Sequence, residues 1–165
     1  MTDRYYITTP IYYVNDKPHI GHAYTSVATD FIARFMRLND YDVRFQTGTD
    51  EHGLKIQKAA ESKGKEPLEL CDENSRIFRD LTTTLDLSND DFIRTTEQRH
   101  IDGASFLWNR LHERNQIYLG EYTGWYSIND ETFYNEKDLI KQNNGSFKTV
   151  TGGPVDWITE KSYFF

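Results

Sequence analysis

Cysteine is almost absent from this chain, with Cys71 the only one among 165 residues. A disulfide within the chain is therefore impossible, and so is a metal knuckle built from cysteines. Basic residues are also the minority, since 19 Lys and Arg stand against 26 Asp and Glu, for a net charge of −7. That balance argues against a general polyanion-binding surface.

Long apolar segments are missing as well. No run approaches the roughly 20 residues that a membrane helix needs, and the N-terminus, Met1–Tyr5, has no apolar signal core. These absences predict a cytoplasmic protein, with an organellar matrix as the alternative if a presequence has been removed. What is present suffices for a folded core, because 37% of the residues are hydrophobic and 15% are aromatic.

The N-terminal part predicts a strand, a long helix and a second strand. Tyr5–Thr9 is predicted as a short buried strand. Apolar residues recur at helical spacing through His19–Leu38, and Val43–Thr47 is predicted as a strand that ends at a glycine. Such a βαβ unit joins parallel strands by a right-handed crossover, and open parallel sheets bind ligands at the carboxyl ends of their strands. Two loops fall at such ends: Pro10–Pro18 and Gly48–Gly53.

The remaining sequence predicts three more helices, and after them its amino-acid composition changes. The helices are Glu51–Ser62, Pro67–Leu85 and Glu97–Arg114, with an extended piece at Asp91–Thr95. From about Ile117 the chain is rich in tyrosine, glycine and threonine, which indicates strands and turns. We therefore predict two parts, residues 1–116 and 117–165. Smaller predicted features are a helix at Lys137–Gln142 and turns at Asn143–Gly145 and Gly152–Pro154.

Two histidines at the start of the first helix predict an anion site. His19 and His22, at i and i+3, share one face of the first turn, and Pro18 suits the first helical position. That turn offers unpaired backbone N–H groups and the positive end of the helix dipole, and the imidazoles add donors for phosphate oxygens. Gly21 would let a flat base or ribose approach closely. The alternative is that both histidines are ordinary surface or packed residues.

A metal site is a weaker interpretation of the same histidines. Together with His52 and Asp50 they could bind zinc. The usual helical zinc spacing, i and i+4 with an intervening glutamate, is absent. Phosphate is therefore the preferred ligand.

Two neighbouring segments each allow a binding role and a structural one. In Gly48–Gly53, the carboxylate of Asp50 could hold an ammonium group, or Thr49 or Asp50 could cap a helix that begins near Glu51. In Pro10–Tyr13, the aromatic turn could wall an apolar pocket, or its tyrosines could simply pack in the core.

Together these segments resemble the methionyl-tRNA synthetases, a family of class I aminoacyl-tRNA synthetases. The box His19–His22 matches the first class-defining motif, and the resemblance extends in order over the whole chain. The segments that carry it further are Thr8–Asn15, Gly48–Gly53 and Asp91–Glu97. It implies an α/β fold with a Rossmann-like parallel sheet, the first half of the class I catalytic domain, followed by the start of a small β-rich connective insertion.

The resemblance also implies a reaction. Methionine would be activated by ATP, accompanied by Mg²⁺, to methionyl-adenylate and then transferred to tRNA(Met). His19 and His22 would be catalytic, stabilising phosphate charge in the transition state. ATP would also contact Gly21 and Asn15.

The resemblance implies a methionine pocket as well. The carboxylate of Asp50 would pair with the methionine ammonium group. The side of the pocket that holds the thioether would be formed by apolar and aromatic residues, namely Pro10, Ile11 and Tyr13.

Two family features are missing. Many members carry Cys-x-x-Cys knuckles for structural zinc, and here Ser127 and Asp130 occupy those positions, so the resemblance to the zinc-free members implies no metal site. The family's Lys-Met-Ser-Lys-Ser loop and the second half of the catalytic domain are also missing. We therefore expect a piece of a longer protein that is inactive and poorly stable alone, because a half-sheet exposes edges and apolar faces.

Three alternatives stay open. The chain could belong to another nucleotidylyltransferase with the same helix-end site. It could be a synthetase-like module that only binds. A metal-dependent hydrolase is the most distant of the three.

Overall fold

A computed structural model describes residues 2–143 and 145–165. The chain divides into two compact units, one ending at Ser105 and one running from Phe106 to Phe165. The functional division after residue 116 stays a prediction, and the predicted turn Asn143–Gly145 includes Asn144, which lies outside the described residues. Of the helices in the described ranges, none is both long and apolar enough to traverse a bilayer.

The first unit has its strands and helices in the predicted order, with one addition. A two-residue strand, Tyr12–Tyr13, lies within the predicted loop Pro10–Pro18, so the loop prediction is wrong there. Its elements are β1 (Arg4–Thr8), β2 (Tyr12–Tyr13), α1 (Ile20–Leu38), β3 (Asp42–Asp50), α2 (Leu54–Ser62), α3 (Pro67–Thr84) and β4 (Asp91–Arg94), and α4 (Gln98–Glu113) begins in it.

β3 is the central strand of a parallel sheet. Gln46 of β3 lies opposite Thr8 of β1 and also opposite Asp91 of β4, and Thr49 likewise has one partner in β2 and one in β4. Because each of these β3 residues is paired on both sides, β1 and β2 follow one edge of β3 and β4 follows the other. The predicted parallel, Rossmann-like arrangement is confirmed.

β3 continues through Gly48, so the predicted end of the strand at this residue is wrong. A Cβ atom on Gly48 would lie 2.0 Å from the carbonyl oxygen of Ile93 in β4. The glycine therefore allows two strands to approach closely and does not end one of them. As a result, Asp50 is the last residue of the strand and not part of a loop.

β1 is an edge strand, and its predicted burial is wrong. Its residues alternate between half-buried and exposed, and the Tyr6 side chain is 63% exposed. In the described part of the chain its outer edge has no strand partner.

α1 buries its small and polar face and exposes its apolar one. The buried residues are Ser26, Thr29, Asp30 and Ala33. The apolar residues that predict the helix are between 48% and 84% exposed at Ile20, Val27, Phe31, Phe35 and Leu38. The expectation that the chain exposes apolar surface is thus confirmed for this helix.

Buried contacts tie α1 to the segment before β4. The Asp30 carboxylate accepts hydrogen bonds from the backbone N–H and the hydroxyl of Ser88, both at 2.6 Å, and from Nε of Arg34 at 2.6 Å. Burial opposes ionisation of Asp30, but the bonds from Ser88 and Arg34 outweigh it and lower its pKa. A charge-assisted contact of this kind fixes the helix on the sheet.

The helix after β3 begins later than predicted. α2 starts at Leu54, and its N-cap is Gly53, with φ 115° and no side-chain capping bond. The interpretation that Thr49 or Asp50 caps this helix is therefore wrong.

The second unit is rich in strands. β5 (Tyr118–Ser127) pairs antiparallel with β6 (Thr132–Tyr134) and with β9 (Asp156–Phe164). The predicted helix at Lys137–Gln142 is wrong. A single 3-10 turn at Glu136–Asp138 leads into the short antiparallel pair of β7 (Ile140–Lys141) and β8 (Phe147–Lys148).

Candidate active site

His19 and His22 close the N-terminus of α1 by capping each other's backbone. His19 is the N-cap residue, and its Nδ1 accepts a hydrogen bond from the N–H of Gly21 at 3.1 Å. The Nδ1 of His22 in turn accepts the N–H of His19 at 3.0 Å, which is the reciprocal arrangement of a capping box. The helix begins at Ile20. His19 and Pro18 therefore precede its first turn, and the prediction that they lie inside that turn is wrong.

The capping bonds decide which nitrogen of each ring carries the proton. A neutral imidazole has one donor and one acceptor nitrogen, and Nδ1 is the acceptor in both rings, so the proton of each lies on Nε2. The rings of His19 and His22 lie against each other, with centroids 3.8 Å apart and planes inclined by 32°. The helix end therefore offers two Nε2–H donors on adjacent rings, at the positive end of the helix dipole.

Two backbone N–H groups of this turn are already bonded. The N–H of Gly21 donates to the His19 ring, and the N–H of His22 donates to the His19 carbonyl at 3.0 Å. The prediction that the first turn offers free N–H groups to an anion is therefore wrong for these two residues. The imidazoles replace them as donors.

A buried aromatic wall holds the His22 ring. Tyr12, which is 8% exposed, and Phe78, which is 2% exposed, meet it edge to face with centroids at 4.8 and 5.1 Å. The Tyr12 hydroxyl bonds Oγ of Ser26 at 3.0 Å. Burial, and then the repulsion that would arise if both adjacent rings were charged, lower the pKa of His22. Both effects keep the imidazole neutral, as the capping bond requires.

Gly21 lies between the two capping histidines in the sequence, and Asn15 precedes them. A Cβ atom on Gly21 would come 3.0 Å from Cε1 of His19, so the glycine makes room for that ring. Asn15 is half-buried and follows Val14, whose carbonyl accepts a hydrogen bond from Nδ2 of Asn74 at 2.6 Å. That bond anchors the loop carrying Asn15 to α3.

The pairing of β2 with β3 brings Tyr13 and Asp50 together. The two residues lie directly opposite each other in the parallel register. Tyr13 is 39% exposed, and Nζ of Lys55 lies 5.8 Å from the centroid of its ring. A carboxylate beside an aromatic face suits a small ammonium ion.

Pro10 and Ile11 lie in the exposed turn between β1 and β2. Ile11 lines an open cavity of about 310 Å³ together with Thr9 and Thr95, and neither Tyr13 nor Asp50 belongs to that lining. The described structure therefore places His19 next to His22 and Tyr13 opposite Asp50. It does not place Ile11 and Asp50 in the lining of the same cavity.

An ion pair that no sequence pattern predicted lies next to this site. The Glu51 side chain is fully buried and accepts two parallel bonds from Arg94, at 2.7 Å to Oε1 and 2.9 Å to Oε2. Burial opposes the charge of Glu51, but bonds from Arg94, Thr96 and Thr49 outweigh it and lower the pKa of the carboxylate. The available signal was positional, because an acid and a base stand at the carboxyl ends of two neighbouring parallel strands.

Across residues 2–143 and 145–165, no three or more His, Cys, Asp or Glu side chains form a group that could hold a metal ion. The ring of His52 instead has Nε2 3.4 Å from the Thr95 carbonyl. The residues named for zinc, His19, His22, His52 and Asp50, therefore form no such group in the described part of the chain.

Comparison with known proteins agrees with this geometry. The family model of class I tRNA synthetases (M) matches residues 5–145. The methionine–tRNA ligase of Rickettsia conorii is 54% identical over 165 residues, and that of Mesorhizobium japonicum is 50% identical over 163. These alignments cover 100% and 99% of this chain but only 32% of each relative, so the chain spans about a third of their length.

A solved structure shows the same fold. The Mycobacterium tuberculosis methionyl-tRNA synthetase in complex with methionyl-adenylate superposes with a TM-score of 0.89 at 48% identity, covering 99% of this chain and 32% of that one. A parallel sheet with paired histidines at a helix end is the arrangement expected of a class I synthetase domain. The chain belongs to the class I tRNA synthetases (M), the family whose model matches most of its length.

Proposed function

We propose that this chain supplies the ATP-binding side of a methionine-activating site within a protein of the relatives' length. The single observation that carries the proposal is the reciprocal cap of His19 and His22, which leaves an Nε2–H donor on each ring. The relative bound to methionyl-adenylate supports methionine and ATP as the substrates.

The proposed reaction has two steps. A carboxylate oxygen of methionine attacks the α-phosphorus of ATP, the bond from that phosphorus to the bridging oxygen breaks, and pyrophosphate leaves with the bond electrons. A ribose hydroxyl at the 3′ end of tRNA(Met) then attacks the methionyl carbonyl, loses its proton, and AMP leaves. No bond to the enzyme forms, so the protein contributes by positioning the reactants and stabilising charge.

His19 and His22 would act as the charge-stabilising donors. Negative charge develops on the phosphate oxygens as the α-phosphorus is attacked, and donors held rigidly in advance stabilise that charge without reorganising. The contact between the two rings and the buried wall of Tyr12 and Phe78 provide this rigidity. Removing one such donor is expected to lower the rate about 10²–10³-fold.

The remaining site residues divide between the two substrates. Gly21 and Asn15 would border the adenosine. Asp50 would pair with the methionine ammonium group beside Tyr13. Pro10 and Ile11, in the outer turn, would form one side of the pocket for the thioether, and parts of the longer protein would form the rest.

Magnesium would enter with ATP, bound mainly to its phosphates, and no zinc is expected at Ser127 and Asp130. Their hydroxyl and carboxylate hydrogen-bond to each other at 2.9 Å. We further propose that tRNA(Met) is the acceptor and that the protein acts in the cytoplasm or an organellar matrix.

Amino-acid-dependent exchange of pyrophosphate into ATP tests the proposal. The longer protein carrying this chain should catalyse exchange with methionine and not with leucine or glutamate. The isolated 165-residue chain should not, because it spans only about a third of the relatives' length. Exchange supported equally by unrelated acids, or exchange by the isolated chain, would contradict it.

A further inference from the structure

The buried carboxylate of Glu51 has four side-chain bonds on its two oxygens. Oε1 accepts from Nε of Arg94 and from the Thr49 hydroxyl at 2.8 Å. Oε2 accepts from Nη2 of Arg94 and from the Thr96 hydroxyl. The carboxylate is therefore fully satisfied by partners from the ends of β3 and β4.

The backbone around Glu51 is held as firmly as its side chain. The N–H of Glu51 donates to the Thr95 hydroxyl at 2.9 Å. The N–H of Thr95 donates to the Thr49 carbonyl at 3.2 Å, and the thiol of Cys71 bonds the Glu51 carbonyl at 3.7 Å. Asp50 is the residue between Thr49 and Glu51, so these bonds hold the backbone on both sides of Asp50.

Asp50 faces away from this cluster. Side chains alternate along a strand, and Thr49 and Glu51 are 0% and 4% exposed, whereas Asp50 is half-buried and stands beside Tyr13. Anchoring the residues on both sides of Asp50 fixes the direction in which its side chain leaves the backbone.

Arg94 extends the cluster to α3. Its Nη2 also bonds Oδ1 of Asp72 at 2.5 Å, and the Thr49 hydroxyl lies 3.0 Å from that of Ser75. Two neighbouring strands and a helix thus share one network behind Asp50. Networks of this kind hold a geometry more tightly than any one bond does.

We propose that Glu51 is a positioning residue, which with Arg94 and Thr96 sets the Asp50 carboxylate for the ammonium group of the amino-acid substrate. The inference rests on the proposed function, since it assigns this cluster to amino-acid binding and leaves ATP binding to the histidines of α1. Glu51 itself does not touch the substrate.

The test uses Thr96→Val in the longer protein, because this variant removes one bond to Glu51 without leaving a buried charge unpaired. Glu51→Gln is the stronger variant, but removing a buried charge from its partner can prevent folding. Thr84→Val is the matched control, since the Thr84 hydroxyl bonds the Asp80 carbonyl of its own helix.

Thr96→Val should raise the KM for methionine about tenfold, and the KM for ATP should stay within about twofold. Two competitive inhibitors separate positioning from general loosening: methioninol and 4-(methylthio)butan-1-ol, which differ only in the amino group. The inhibition constant of methioninol should rise with the KM for methionine, and that of the deaminated alcohol should not.

Equal changes in both KM values, equal changes for both inhibitors, or no change in a folded Thr96→Val protein would overturn the assignment. Failure of the proposed function has a different signature, because then the unmodified protein would show no methionine-dependent exchange at all. If the unmodified protein is active but Thr96→Val does not raise the KM for methionine more than the KM for ATP, only the positioning role is rejected.

Discussion

Nδ1 of His22 accepts the backbone N–H of His19 at 3.0 Å, and the rings of the two residues lie 3.8 Å apart. This contact gives each histidine two tasks on the same ring. Nδ1 closes the helix, and Nε2–H is left for a ligand. Cap and site are therefore coupled, and variants can be chosen that separate them.

His19→Ser should separate capping from catalysis. Serine is a good N-cap residue but has no ring nitrogen to reach a phosphate. Exchange activity of the longer protein should fall about 10²–10³-fold with little change in the free energy of unfolding. His19→Ala should lose the same activity and about 1 kcal/mol of stability as well. Full activity in the serine variant would show that the cap alone matters.

Stability should fall at mildly acidic pH because of His22. Its pKa in the folded chain lies below the ordinary value of 6.5, so the unfolded chain binds the proton first as the pH falls. The stabilisation by neutral His22 is fully present above pH 6.5 and is lost as the pH falls through the folded pKa. Urea unfolding between about pH 5 and pH 8 should show this loss, and His22→Gln should remove that component.

A second loss should follow in stronger acid, from Glu51. Hydrogen bonds lower its folded pKa below 4.5 despite its burial. Its contribution is present above pH 4.5 and lost as the pH falls through the folded pKa. The same unfolding series, extended downward, should show a further drop that is absent when Glu51 and Arg94 are both replaced by apolar residues.

Gly48→Ala should disrupt the sheet. The added Cβ would lie 2.0 Å from the Ile93 carbonyl oxygen, so β3 and β4 must separate. The free energy of unfolding should fall by about 4 kcal/mol, which is typical of a severe core substitution. Gly103→Ala is the control, because its Cβ would meet nothing within 4 Å. Since Gly103 lies within α4, this substitution should raise the free energy of unfolding by about 1 kcal/mol. Chemical unfolding of both variants measures the difference, and a stable Gly48→Ala protein would refute the close approach.

Tyr12 should support the site through its ring more than through its hydroxyl. Tyr12→Phe loses the bond to Ser26, worth about 1 kcal/mol, but keeps the edge contact with His22, so the rate of exchange should stay within about threefold. Tyr12→Leu removes that contact, and the rate should fall about tenfold or more. Equal rates in both variants would mean that the aromatic wall does not orient His22.

Periodicity and strand signals predict the elements of the first unit other than β2, because each of them carries its own local pattern. The helical spacing of apolar residues fixed α1 to within a residue, although in the described structure those side chains are exposed. Local pattern reports which conformation a segment adopts and not what covers it. The burial of β1 was mispredicted for the same reason.

The errors at Gly48 and the α2 cap arose from tertiary contacts. A glycine after an apolar run usually ends a strand, and only the neighbouring Ile93 carbonyl explains why β3 continues. Likewise, Glu51 resembles a first-turn helix residue in sequence, and its pairing with Arg94 depends on the order of strands in the sheet.

In the proposed reaction, His19 and His22 stabilise the charge that develops as methionine attacks ATP. The most direct measurement is the single-turnover rate of methionyl-adenylate formation by the longer protein and its His19→Ser variant. We predict a rate about 10²–10³-fold lower in the variant, with ATP affinity within about threefold of the unmodified protein. An unchanged rate, or a loss confined to ATP affinity, would contradict the claim.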